Sequence, residues 1–306
     1  MHSTKKGNPT MQNSQSVPNL FKAWALAARP KTLVASVSPV AIAASLAASF
    51  DLRFFLLCLF FSILIQIGAN VANDYFDYVK GADTAERIGP ARAAQSGWIS
   101  LAQLKTGMFC IFAVASLISV PLLMRGGAFG VWIVIASMIS AIFYTAGARP
   151  LGYLGLGELF VFFFYGPVAV VCTYYILTLS FTPLVFYASL SPALLSCSIL
   201  IANNLRDEKS DRLANKRTLV VRFGKRFGQW EYALSLGIAA FLPIFLAWLH
   251  LAPASWAYMG LFLPFLYSAL KLCFRAKEPR ELVPLLPLSA RLLGIYTLLF
   301  LLINLL

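Results

Sequence analysis

Long apolar stretches follow one another along this chain, nearly free of charge, and no soluble core could bury so many. A helix needs about 20 mostly apolar residues to cross a hydrocarbon layer about 30 Å thick. Nine stretches meet that need, at about 33–50, 52–72, 108–124, 128–147, 154–177, 181–202, 232–250, 253–273 and 282–303. Composition agrees: over 306 residues, 59% hydrophobic, 12% charged and a mean hydropathy of +0.76 lie outside the range of soluble globular domains. The expected fold class is therefore all-α, a polytopic membrane protein with nine transmembrane helices.

Lys and Arg concentrate in the connections that stay on the cytoplasmic side, and this sets the orientation. With a cytoplasmic N-terminus, the inside segments hold 22 of these residues and the outside segments two, Arg53 and Arg125. Arg291 lies within the ninth stretch, where it either snorkels or pairs with an acid. One missed helix would scramble this separation. Residues 1–20 are polar, with no apolar run ahead of a small-residue cleavage site, so they read as a disordered tail and not a signal peptide. Residues 21–306 are then a single transmembrane domain, expected in the cell membrane, most simply the cytoplasmic membrane of a bacterium.

The net charge of +13 is mostly a charge of the cytoplasmic face, suited to anionic headgroups and anionic substrates. Nucleic acid fits poorly, because no soluble basic domain is present. The five cysteines all fall in apolar stretches without CxxC spacing, so they read as small buried hydrophobes. His2 lies in the tail and His250 at the outer end of a helix, which argues against histidine-based catalysis. No protein partner is indicated.

Two connections are long, about 73–107 and 203–231, and both face the cytoplasm. They carry eight of the twelve acidic residues. In "NDYFDYVKGAD", Asn73, Asp74 and Asp77 share one face if the preceding helix continues a turn past the bilayer, and Gly81 lets Asp83 turn back. In "NNLRDEKSD", Asn203, Asp207 and Asp211 again lie four apart on one face. Two oxygen-rich stripes thus end two helices that are four apart in order, as a duplicated four-helix unit would place them. Carboxylate and amide oxygens are hard ligands, and Mg2+ takes one or two carboxylates while sharing its remaining sites with phosphate and water. Two such stripes suit a metal-bridged diphosphate, with Lys80, Arg87, Arg92, Arg206 and Arg149 available for oxygens the metal leaves free.

Other features have two readings. Glu158, in "GYLGLGELFVFFFYGP", is either a satisfied structural carboxylate or a functional one. The run 160–165 is either a packing and lipid-facing surface or an aromatic wall for a cation.

Five ordered motifs carry a resemblance: "RPKTL" at 29–33, "NVANDYFDYVKGAD" at 70–83, "RIGPARAAQSGWIS" at 87–100, "YTAGARPLGYLGLGE" at 144–158 and "NNLRDEKSDRLANKRTLVVRFG" at 203–224. Over residues 29–228 the chain resembles the intramembrane aromatic prenyltransferases of the UbiA superfamily. Within it, the "NDYxD...GxD" and "RIGP" elements are most similar to the 1,4-dihydroxy-2-naphthoate polyprenyltransferases of menaquinone synthesis. The resemblance implies a nine-helix ring around a central cavity, with Mg2+ and a polyprenyl diphosphate under a cytoplasmic cap and the prenyl chain in the membrane. It implies metal ligation by Asn73 and Asp77 and by Asp207 and Asp211, with Asp74 and Asp83 as additional or supporting ligands. Lys80, Arg92, Arg149 and Asn203 are expected on the diphosphate. Asp77, Asp207, Arg149 and Tyr144 form the expected catalytic set, Tyr144 near the reacting allylic carbon.

The implied reaction ionises the allylic C–O bond, and an electron-rich ring carbon of the dihydroxynaphthoate attacks with loss of diphosphate and CO2. Three rivals remain. A transporter would gather its polar residues at the bilayer midplane, not at one face. A CDP-alcohol phosphotransferase would cluster its aspartates once, in a motif absent here. Another aromatic acceptor, a different naphthoate or 4-hydroxybenzoate, would use the same diphosphate motifs.

Overall fold

The computed structural model describes residues 18–82 and 88–305, and every regular element among them is helical. Asp83, Glu86, Arg87 and the tail to residue 17 lie outside the described residues. In chain order the helices are α1 (Leu20–Ala28), α2 (Val34–Leu46), α3 (Leu52–Val79), α4 (Leu101–Phe143), α5 (Gly157–Thr178), α6 (Pro183–Leu213), α7 (Leu219–Phe223), α8 (Lys225–Trp248), α9 (Ala254–Arg275) and α10 (Leu285–Leu305). Seven of the described segments are long and apolar enough to cross a membrane, the last of them Pro279–Leu305; α2 is apolar but shorter. This is a multi-pass membrane protein.

Helix α4 departs from the pattern. A straight helix of its 43 residues would be about 65 Å long, twice the hydrocarbon thickness. It breaks at Gly127, whose φ of 59° and ψ of −151° are not helical. Beyond the break the chain doubles back, so that Ser116 Oγ lies 3.6 Å from Met138 Sδ and a Cβ on Gly130 would stand 3.4 Å from the Leu122 carbonyl oxygen.

Several helices outrun their apolar stretches. Helix α3 continues through Asp77 to Val79, and α6 through Asp211 to Leu213. Helix α4 starts at Leu101 because Ser100 and Gln103 cap it reciprocally. Hydropathy falls where the membrane ends, whereas the backbone ladder continues until a cap or a glycine stops it. The connections 73–107 and 203–231 are therefore helical at their ends. Helix α1 forms between the polar tail and the first apolar stretch, where Asn19 accepts the Lys22 amide as a cap. Its Phe21 is 84% exposed, while Trp24 packs over Gly107 at the start of α4.

Helix α6 is the most enclosed span and packs against α2, α5, α8 and α10. Beside it Trp256, Phe262, Tyr296 and Phe300 form a buried aromatic ladder between the α9 and α10 segments. On the other side of α6 opens a cavity of about 520 Å³, walled by α2, α3, α4, α5 and α6.

Candidate active site

One end of this cavity is polar, and both oxygen stripes reach it. On α3 the residues Asn73 and Asp77 line it, and on α6 so do Asn203, Asp207 and Asp211. Their spacing of four is one helical turn, so each helix points its oxygens the same way. Asp77 and Asp207 are almost fully buried, at 2% and 4% exposure. A buried carboxylate needs partners, and both have them.

Asp77 Oδ1 accepts from the Tyr153 hydroxyl at 2.8 Å, and Oδ2 accepts from Lys216 Nζ at 3.0 Å, with Arg92 Nη2 at 3.7 Å. The Tyr153 ring faces two ammonium groups, Lys80 Nζ at 5.0 Å and Lys216 Nζ at 4.8 Å from its centroid. Lys80 also donates to the Thr145 carbonyl, and Thr145 donates its hydroxyl to Asn73. Partial desolvation holds the Lys80 ammonium below its usual pKa, with Asp77 opposing and Lys216 adding to that shift. Across the cavity, Arg206 holds Asp207 with two bonds, Nε to Oδ1 at 2.7 Å and Nη2 to Oδ2 at 2.6 Å. The same Nη2 reaches Asn203 Oδ1 at 2.6 Å.

Two chain segments supply the parts that lie off the stripes. Asp74 turns to the following loop, where it accepts the Ala93 and Ala94 amides at 2.9 and 3.3 Å and so seats Arg92. The loop after α6 is tied to residues 150–156: the Arg217 amide donates to the Tyr153 carbonyl at 2.9 Å, and Arg222 Nη2 to that of Leu154 at 2.6 Å. Gly155 makes this approach possible, with φ +72° and room for only 2.5 Å between a Cβ and the Arg217 carbonyl oxygen. That crossing brings Tyr153 and Lys216 together on Asp77.

Most of the expected residues converge here, and some do not. Asn73, Asp77, Asn203, Asp207, Asp211, Arg92 and Tyr144 all line the cavity. Tyr144 fits because Gly152 and Gly157 face its ring and hydroxyl. Asp74 also borders the cavity, but its carboxylate serves the loop amides. Arg149 and Lys80 are both exposed and neither is on the cavity wall, but the Lys80 ammonium lies over the Tyr153 ring beside Asp77, whereas Arg149 sits on the turn after α4. Glu158 is buried behind the wall and accepts from Asn204 Nδ2 at 2.7 Å. The run 160–165 splits by face: Phe160, Phe164 and Tyr165 line the cavity, while Phe163 points outward. Arg291 is exposed on α10.

Tyr153 and Lys216 were absent from the expected set, as were Arg29 and Asn70, which also line the cavity. Arg29 donates to Asn70 Oδ1 at 3.3 Å, and Asn70 returns a bond to the Ala28 carbonyl at 3.0 Å. All four lie inside the quoted motifs, and their polarity there was the available signal.

The donors suit a hard divalent cation: they are carboxylate and amide oxygens on two facing helices, with no thiolate or imidazole among them. No group of three acidic, His or Cys side chains among the described residues is close enough to form a closed cage.

Away from the polar end the cavity is lined mainly by apolar side chains, with Gln66 and Ser62 among them, and it extends along α3 from Asp77 to Cys58. The model of the UbiA prenyltransferase family matches residues 34–302. The chain belongs to the UbiA prenyltransferase family. This prenyltransferase is 33% identical to a 1,4-dihydroxy-2-naphthoate octaprenyltransferase of Haemophilus influenzae, over 90% of the chain and 93% of that relative. It is also 33% identical to proteins of the same description from Mycobacterium tuberculosis, over 87% of the chain and 91% of the relative, and from Escherichia coli K12, over 87% and 89%. The solved structure of a UbiA homologue from Archaeoglobus fulgidus bound to GPP and Mg2+ shares the fold, with a TM-score of 0.64, 16% identity, and coverage of 92% of this chain and 98% of that one.

Proposed function

We propose that this prenyltransferase transfers a polyprenyl group from an all-trans polyprenyl diphosphate to 1,4-dihydroxy-2-naphthoate, with loss of diphosphate and CO2, in menaquinone biosynthesis. The observation that carries this reading is the convergence of two oxygen stripes and several cations at the head of a long apolar cavity. The relatives named above supply the acceptor.

In this reading Asn73 and Asp77 on one side, and Asp207 and Asp211 on the other, hold Mg2+. The ion would neutralise the diphosphate and so make it a competent leaving group. Lys216, Lys80 and Arg92 bind the oxygens that remain, and they stabilise the charge that develops as the C–O bond breaks. Lys216 takes the part that the sequence reading gave to Arg149. Asn203 and Arg206 fix the direction of Asp207. The cavity excludes water from the allylic cation, and Tyr144, Phe160 and Phe164 present aromatic faces to it. Arg29 and Lys31, which also line the cavity, give positive charge to a carboxylate-bearing acceptor. Loss of CO2 takes the place of the proton otherwise lost from the attacked carbon, so no strong base is needed there.

The break at Gly127 makes α4 two crossings, and α2 with its flanks makes one more, giving nine. With the N-terminus inside, the stripes then face the cytoplasm, and the membrane is the bacterial cytoplasmic membrane. Cysteine labelling of Ser49→Cys and Ser96→Cys in intact cells tests the orientation, with only the former accessible from outside. Purified protein with Mg2+, a prenyl diphosphate and a panel of aromatic acids tests the chemistry. Mass spectrometry should find a prenylated product lacking CO2 from the dihydroxynaphthoate alone. Products from hydroxybenzoate instead would assign a different acceptor.

A further inference from the structure

Behind the cavity wall, the start of α5 grips α6 at two points. Glu158, the second residue of α5, is buried, and its Oε1 accepts from Asn204 Nδ2 at 2.7 Å. Its backbone carbonyl accepts from Cys197 Sγ at 3.3 Å. Cys197 and Asn204 are about two turns of α6 apart, so they share a face. Their chain neighbours Ser196 and Asn203 line the cavity, and Asp207 and Asp211 continue that stripe.

A buried carboxylate is costly, and packing alone would be served by an apolar side chain of similar size. Glu158 supplies what an apolar side chain lacks, a direction. Beside Asn204, Leu205 lies over Gly228 of α8. Such contacts press helices together, whereas a hydrogen bond fixes an angle. The angle matters at the site. Side-chain tips stand about 6 Å from a helix axis, so a turn of α6 by about 10° moves Asp207 and Asp211 by about 1 Å. A displacement of that size at a reacting centre lowers a rate by up to about a hundredfold.

The preceding residue refers a second cavity side chain to the same point. A Cβ at Gly157 would stand 2.8 Å from the Tyr144 hydroxyl and 3.1 Å from Leu200 Cδ2, so its absence lets Tyr144 sit against the start of α5. Tyr144 and the α6 stripe are thus both placed by the step from Gly157 to Glu158.

We infer that Glu158 is a positioning residue for prenyl transfer: through Asn204 it sets the rotation of α6 that turns Asn203, Asp207 and Asp211 toward the metal-bridged diphosphate. The inference rests on the prenyl-transfer reading above. A glutamate in a first helical turn also suits the helix dipole, and the test separates that purely structural role from positioning.

Two readouts are taken in detergent. One is kcat/KM for geranyl diphosphate with dihydroxynaphthoate; the other is the Mg2+ concentration that half-saturates the rise in Tm caused by Mg2+ with inorganic diphosphate. Glu158→Gln keeps an acceptor oxygen for Asn204, so both readouts should stay within about threefold of wild type. Glu158→Ala and Asn204→Ala lose the bond, so kcat/KM should fall about ten- to hundredfold and the half-saturating Mg2+ should rise about tenfold. The double variant Glu158→Leu, Asn204→Leu replaces both partners by apolar groups of similar size, and should melt near or above wild type while showing the same two losses. Wild-type readouts in the folded double variant would overturn the positioning role. So would an alanine variant with a lowered Tm but unchanged half-saturating Mg2+, or equal losses in Glu158→Gln and Glu158→Ala. A wild type inactive with every prenyl donor would instead overturn the prenyl-transfer reading itself.

Discussion

Replacing Tyr153 with phenylalanine is a sharp test of the site, because it removes one atom and keeps the ring. The hydroxyl donates to Asp77 Oδ1 at 2.8 Å, and the ring holds Lys80 and Lys216 on its face. Phenylalanine preserves both cation contacts. It leaves Asp77 with Lys216 on Oδ2 at 3.0 Å and no donor from residue 153 on Oδ1. At 2% exposure that oxygen has little access to bulk water. A hydrogen bond to a charged group is worth about 1.5–3 kcal/mol, which corresponds to roughly 10- to 150-fold in a rate or binding constant. Lys216 still restrains the carboxylate, so the lower end applies, about a tenfold fall in kcat/KM for the prenyl diphosphate. The assay is transfer to dihydroxynaphthoate by purified enzyme across a Mg2+ titration, with thermal unfolding in detergent as the fold control. Activity within twofold of wild type in a normally folded Tyr153→Phe would refute the claim that Tyr153 positions Asp77.

Lys216→Ala should lower transfer at least a hundredfold, whereas Arg149→Ala should change it less than threefold; equal losses, read as kcat/KM for the prenyl diphosphate, would restore Arg149 to the site. Arg206→Ala leaves Asp207 buried without its bidentate partner, and removal of one member of such a pair costs about 3–5 kcal/mol, so Tm should drop markedly in a detergent melt. Gly155→Val places a β-branched residue at φ +72°, with a Cβ 2.5 Å from the Arg217 carbonyl oxygen, and should displace the Lys216 loop and raise the KM for the donor. Chelation with EDTA should abolish transfer while leaving helical circular dichroism intact, and Mg2+ should restore it.

The stripes were readable because helical periodicity is local. Asn73 and Asp77, or Asn203 and Asp207, share a face as soon as their helices outlast the apolar run, and α3 and α6 do so. The split between Asp74 and Asp77 was not readable, because one residue of rotation sends Asp74 to the Ala93 and Ala94 amides and leaves Asp77 facing the cavity. The cations were harder still. Nothing in the spacing of Arg149 and Lys216 tells which one reaches Asp77, since that depends on two loops crossing at Gly155. Helix α1 escaped notice because its nine residues are too few for a membrane span, and Asn19 and the packing of Trp24 define it. The break in α4 at Gly127 was legible as a gap between two apolar stretches, because Arg125 and the glycines around it interrupt the hydropathy.

In the proposed mechanism Asp77 and Asp207 act as one unit on a single metal-bridged diphosphate. A double-mutant cycle of Asp77→Ala, Asp207→Ala and the combined variant, read as Mg2+-dependent transfer by membranes with equal amounts of inserted protein, tests it directly. Either single change should remove transfer almost entirely and the double variant should be hardly worse, as for groups that function together. Losses that multiply, or full activity in both single variants, would contradict it.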